Sequence, residues 1–137
     1  MEITMPQAWL EAFLDTHGGI AGTVHYQQDG DLHLSAFHNI PPNVKQAVLH
    51  VPRGKGMAGI AQVERKPVQT CNIKDDDTGR LKPLAKQVSG MAAIALPVFD
   101  DKGQVHAVVG ISFGHEGEIP ADQVDTLMAA AATLPRA

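Results

Sequence analysis

The chain predicts an α+β fold built around a central antiparallel sheet. Two strand pairs carry most of this. Ile20–Gln28 and Asp31–Asn39 flank Asp29-Gly30, a strong two-residue hairpin signal. Met91–Phe99 and Gln104–Phe113 are apolar strands joined by Asp100-Asp101-Lys102-Gly103. The third observation is the element order: helix, hairpin, helix, glycine turn, helix, strand, crossover, hairpin, helix. That order suits an antiparallel sheet with helices on its faces.

Pro6 to Thr16 reads as the first helix. Trp9, Leu10, Phe13 and Leu14 fall at helical spacing, Pro6 suits a first turn, and His17-Gly18-Gly19 stops it. In the first hairpin the turn pairs Gln28 with Asp31, Tyr26 with His33 and Val24 with Ser35. One face then carries Gly22, Val24, Tyr26, His33, Ser35 and Phe37; the other carries Thr23, His25, Leu32, Leu34 and Ala36. Pro41-Pro42 starts a short helix to about Leu49, and His50-Val51-Pro52 is extended. A helix from about Met57 to Arg65 ends at Lys66-Pro67. Val68–Ile73 is a strand, Lys74 to Gly79 a polar loop, and Leu81–Val88 a helical turn or two. Ala121–Leu134 forms the last helix, behind Pro120. The second strand pair is apolar on both faces, so helices must cover it on both sides. The terminal helices are candidates for one cover, and the segments between residues 41 and 89 for the other.

With 137 residues the chain is read as one domain, 1–137, and 44% apolar content suffices for a core. Aromatics are scarce, so the core rests on Val, Ile, Leu, Met and Ala. The net charge of −4 and singly scattered Lys and Arg argue against a nucleic-acid partner. The single cysteine, Cys71, excludes an internal disulfide. No apolar run approaches the ~20 residues of a membrane span. The expectation is a soluble cytoplasmic protein without a membrane partner.

Gly54-Lys55-Gly56-Met57-Ala58-Gly59-Ile60-Ala61, followed by Lys66-Pro67-Val68, forms a tight glycine turn, a short helix and a strand. With Ala95-Leu96-Pro97-Val98 and Val108-Val109-Gly110-Ile111 in that order, it resembles the GAF domain over nearly the whole chain. The resemblance implies terminal helices on one face of the sheet, often building a dimer. It implies a ligand pocket under the crossover on the other face. It further implies a non-enzymatic, small-molecule-binding sensory module, a homodimer, and signalling by contact with a separate output protein. One departure is Asn72, where many family members carry Asp.

The glycine turn also matches a dinucleotide fingerprint. Pro52 in the preceding strand, a two-turn helix and the short chain all count against it. The branch that reduces free methionine sulfoxide places a cysteine where Ala58 stands and two more in regions that hold none here. A thiol mechanism needs an attacking thiolate and a resolving partner, so the chain is read as no enzyme; a degenerate relative of that reductase is the remote alternative. No Asn-Lys or Asp-Glu dipeptide supports cyclic-nucleotide binding. Neither bilin-attachment pattern surrounds Cys71, which reads as a small packing residue in a strand.

Seven histidines raise the question of a metal. The predicted register puts His33 on one face and His25 and His38 on the other, the latter two roughly 13 Å apart, too far for one ion. The Asp75-Asp76-Asp77 run lacks the glycine and distal Glu of a calcium loop. No metal and no cofactor are expected. The pocket candidates are Met57, Ile60, Cys71, Ile73, Leu84, Met91 and Ala93, with Arg53 and Lys55 as anion contacts. The expected mechanism is ligand-dependent ordering of Ile73–Val88. The rival reading is a ligand-free dimerisation module using Trp9, Phe13, Leu127 and Met128.

Overall fold

Helix α1 (Met5–His17) leads into the hairpin β1 (Ala21–Gln28) and β2 (Asp31–His38) in a computed structural model that describes residues 5–70 and 92–135. Helix α2 (Pro42–Val48), strand β3 (His50–Val51), helix α3 (Gly56–Glu64) and strand β4 (Val68–Thr70) follow. Strands β5 (Ala93–Phe99) and β6 (Val105–Ser112) and helix α4 (Ala121–Ala131) complete the described elements. The strands form one sheet in the order β3-β2-β1-β6-β5-β4, with every neighbouring pair antiparallel. The α+β expectation therefore holds. The predicted polar loop and the segment Leu81–Val88 lie outside the described residues, as does the crossover Ile73–Val88.

The Asp29-Gly30 turn forms as its chemistry requires. Both residues have positive φ, 55° and 90°, which a two-residue hairpin turn needs and which Gly and Asp tolerate. Gln28 pairs with Asp31 and Tyr26 with His33, as predicted. The predicted register holds through His25 opposite Leu34 and then slips. A bulge between Val24 and His25 pairs Val24 with Ala36, so Ser35 is passed over and His38 faces Gly22, not Ala21. Ala36 thereby joins Val24 and Tyr26 in the core, while the Phe37 ring lies under Lys45 of α2, 4.4 Å from its ammonium. The slip also moves His38 off the face of His25. Helix α1 holds the bulged segment: the Gln7 side chain donates to the Phe37 carbonyl (2.9 Å) and accepts from its N–H (3.1 Å).

The terminal helices cover one face. Leu10, Phe13 and Leu14 of α1 and Leu127 and Ala131 of α4 pack on Val24, Tyr26, Leu96, Val109 and Ile111. Trp9 stacks on Phe13 at 4.8 Å and donates from Nε1 to Thr133 Oγ1 at 2.9 Å, tying the two helices together. The Tyr26 hydroxyl donates to the Pro135 carbonyl at 2.5 Å. Phe13 is 4% exposed and Leu127 is fully buried, so these two side chains belong to the chain's own core. A helical interface between copies cannot be built on them as the sequence suggested; Trp9 and Met128 remain half-buried.

Helix α3 covers the opposite face, over Leu32, Val51, Val68, Ala95 and Val108. Strand β5 is buried from Ala93 to Val98, as a strand covered on both sides must be. The glycine turn explains how α3 is seated. A Cβ on Gly59 would lie 3.0 Å from the Gly54 backbone and from the Pro52 carbonyl, so the helix's first turn rests directly on the chain entering it. The helix ends where Arg65 adopts φ 60° and its N–H bonds the Ala61 carbonyl, one residue before Lys66-Pro67. Helix α4 stops at Ala131, short of the predicted Leu134. There the N–H groups of Thr133 and Leu134 turn to carbonyls three residues back, and the Thr133 hydroxyl caps the Ala130 carbonyl.

Candidate functional site

Strand β1 carries a histidine into the interior of the face that α2 and α3 cover. His25 is 3% exposed, and its Nε2 lies 2.9 Å from the carbonyl of Val48 at the end of α2. A carbonyl can only accept, so Nε2 carries the proton and Nδ1 is left as a bare acceptor. That Nδ1 is buried and has no partner. Burial lowers the pKa from 6.5 to about 4, the bond to Val48 opposing the shift and nearby His33 adding to it. The imidazole is therefore neutral near pH 7. From sequence alone His25 stands out only as a candidate metal ligand. The signal for another role is an imidazole on a hairpin face that also carries Leu32 and Leu34.

Of the predicted pocket residues, Met57 and Ile60 pack together against Leu32, Val51, Ala61, Val68, Ala95 and Val108 on this same face. Ala93 is 8% exposed and shares a side of β5 with Ala95. Cys71, Ile73, Leu84 and Met91 lie outside the described residues. Lys55 is exposed at the N-cap of α3, with its N–H on the Pro52 carbonyl.

Arg53 contributes to a different feature, at the end of the sheet where the two hairpin turns lie. A cleft of about 380 Å³ opens there, lined among others by Gln27, Arg53, Gln62, Arg65, Asp100 and Gln104. The backbone N–H of Arg53 is pinned by Asp31 Oδ1 at 3.0 Å, while Asp31 Oδ2 meets His50 Nε2 at 2.7 Å. Those two contacts, that of His50 first, hold the Asp31 carboxyl below the usual range. His33 stacks on His50 at 5.0 Å. Among the described residues no group of three or more His, Cys, Asp and Glu could hold a metal ion.

The sequence profile of the GAF domain matches residues 5–137. The chain belongs to the GAF family. No protein of curated function matches the sequence. Among solved structures, this GAF domain is similar to that of a phosphoenolpyruvate-protein phosphotransferase from Acinetobacter, with TM-score 0.74, 12% identity, and 97% of this chain and 81% of that one covered. It is similar to the type II free methionine-R-sulfoxide reductase of Thermoplasma acidophilum, with TM-score 0.71 and 18% identity over 93% and 87% of the two chains. It is also similar to Staphylococcus aureus NreA mutated in its nitrate binding site, with TM-score 0.67 and 17% identity over 85% and 89%. At these identities the likeness concerns the fold. GAF domains are generally sensory or regulatory. No helix among the described residues of this one is long and apolar enough to cross a membrane.

Proposed function

We propose that this GAF domain is a non-enzymatic sensory module that binds a small molecule on the face covered by α2 and α3. The observation that carries this reading is His25. A buried acceptor without a partner costs about 1–3 kcal/mol, and a ligand N–H or O–H that reached Nδ1 would recover it. Val108, the partner of His25 on β6, and Met57, Ile60 and Ala95 of the same face are apolar, which suits a small ligand with one or two polar handles. Cysteine content supports a non-enzymatic role: Cys71 is the chain's single thiol, and Ala58 occupies the helix-start position where the reductase branch places a cysteine. The proposal includes a cytoplasmic homodimer that passes its signal to a separate protein by contact.

Native mass spectrometry of freshly purified protein tests this. A retained mass released on denaturation is expected in wild type and lost in His25→Leu, which fills the space but offers no acceptor in place of Nδ1. A ligand retained equally by both proteins would refute the role of His25. No retained mass, followed by no stabilisation across a metabolite screen, would refute the sensory reading.

A further inference from the structure

The cleft between the hairpin turns is chemically unlike the apolar face under α3. Two arginines, Arg53 and Arg65, line it. Arg53 has no side-chain hydrogen bond or ion pair among the described residues, so its fork of donors is available. Arg65 is held in place: Nη2 donates to the Gly103 carbonyl at 2.6 Å, and its guanidinium lies over the Phe99 ring, 5.7 Å from the centroid. The lining holds one carboxylate, Asp100, whose Oδ1 accepts the N–H groups of Lys102 (2.8 Å) and Gln104 (3.0 Å). The lining is thus net cationic and rich in carboxamides, with Gln27, Gln62 and Gln104 contributed by three separate elements.

Gln62 makes the site more specific than a basic patch. It is 3% exposed, and its Nε2 donates to the Gly30 carbonyl at 3.0 Å. That bond fixes the orientation of the amide, because an oxygen turned toward Gly30 would meet another acceptor. Oε1 is consequently the other end, and it is buried without a partner. A plain anion would satisfy the arginines and leave Oε1 unpaired. An oxyanion that carries its own hydroxyl satisfies both.

We infer that this cleft is a binding site for a phosphate-type oxyanion bearing a hydroxyl, with Arg53 and Arg65 on the charged oxygens and Gln62 Oε1 accepting the O–H. Inorganic phosphate meets this description at neutral pH, because a large share of it retains a P–OH; a hydroxylated monoester such as glycerol phosphate meets it through the glycerol hydroxyl, its phosphate being mostly dianionic. Sulfate matches the charge and shape but has no proton to give. Arginine forks pair with such oxygens in two parallel bonds, which fixes orientation as well as charge.

The test is titration of isotope-labelled protein with sodium phosphate, glycerol phosphate and sodium sulfate at equal ionic strength, followed by NMR. The expected result is saturable shifts in the Gln62, Gln104, Arg53 and Arg65 signals with phosphate or glycerol phosphate below about 10 mM, and at least tenfold weaker binding of sulfate. Whichever of the first two binds more tightly identifies the source of the group. Arg53→Gln, at an exposed position, should weaken phosphate binding at least tenfold without changing the fold. Gln62→Met should bring phosphate and sulfate to similar, weak affinities. No saturable shift, equal binding of phosphate and sulfate by wild type, or wild-type affinity in Arg53→Gln would each overturn the inference. Should Gln62→Met fail to fold, the wild-type selectivity and the Arg53→Gln result still decide it.

Discussion

Lowering the pH from 7.5 to 5 should remove about 2 kcal/mol of stability through His25 alone. In the folded chain its pKa is lowered from 6.5 to about 4, because a charged imidazole would be buried beneath α2. The unfolded chain keeps the ordinary value. Between these two values the unfolded state binds a proton that the folded state refuses, so stability falls as pH falls through 6.5 and levels off below about 4. The whole gap is worth about 3 kcal/mol at about 1.4 kcal/mol per pH unit, and about 2 kcal/mol of it is lost by pH 5. Other groups titrate over the same interval, so the informative quantity is the difference between wild type and His25→Gln. The variant will be less stable at pH 7.5, since it gives up packing, but it has no proton to gain. Urea denaturation of both proteins at half-unit pH steps should show the stability gap narrowing by about 2 kcal/mol as pH falls, or roughly 6 °C in Tm for a chain of this size. Parallel stability curves for the two proteins would refute the argument that His25 is buried neutral.

The glycine turn gives a second prediction. Gly59→Ala should cost about 1–2 kcal/mol, because its Cβ meets backbone atoms of Gly54 and Pro52 at 3.0 Å and the helix-propensity gain offsets only part of the clash. Gly114→Ala serves as the control; its Cβ would sit 3.8 Å from Ile20, an ordinary contact, and urea midpoints should separate the two variants clearly. Phe13→Glu buries a carboxylate where a 4%-exposed ring now packs, and should lose cooperative unfolding by circular dichroism. A folded monomer from that variant in light scattering would show instead that Phe13 serves an interface between copies.

Much of this architecture is written in local chemistry. Asp29-Gly30 specifies its turn and the first pairs beside it, because positive φ at two successive residues leaves few other conformations. The apolar stretches around Leu96 and Val109 announce strands covered on both faces. What local chemistry does not contain is the bulge at Ser35. Its cause is tertiary: Ala36 has to face the terminal helices while Gln7, thirty residues away, takes both backbone groups of Phe37. The assignment of Phe13 and Leu127 to an interface between copies failed for a related reason, since both are buried in the chain's own core. An apolar stripe on a helix reads the same whether it meets another copy or its own sheet. The placement of the candidate residues was legible in part. Met57 and Ile60 follow from the apolar face of the helix after the glycine turn, and Arg53 was recognisable as a cation beside that turn. Its companions were not, since Arg65 and Gln62 come from the far end of α3, and Gln27 and Gln104 from different strand ends. Only the antiparallel order β1-β6-β5 brings those ends together.

That strand order also bears on how the chain is made. β1 lies in the middle of the sheet, between β2, its neighbour in sequence, and β6, which begins at Val105. On the ribosome the first hairpin can close at once, whereas the other edge of β1 must wait for β6. At about 5–20 residues per second, the delay is on the order of 4 to 16 s. Throughout it Val24 and Tyr26 lack half their cover, because α4 emerges later still. The exposed edge of β1 is then a template for any other extended chain nearby. Trp9 and Thr133 close the terminal-helix face after β6 has paired, so the nascent chain's interval of greatest hazard ends only when α4 docks.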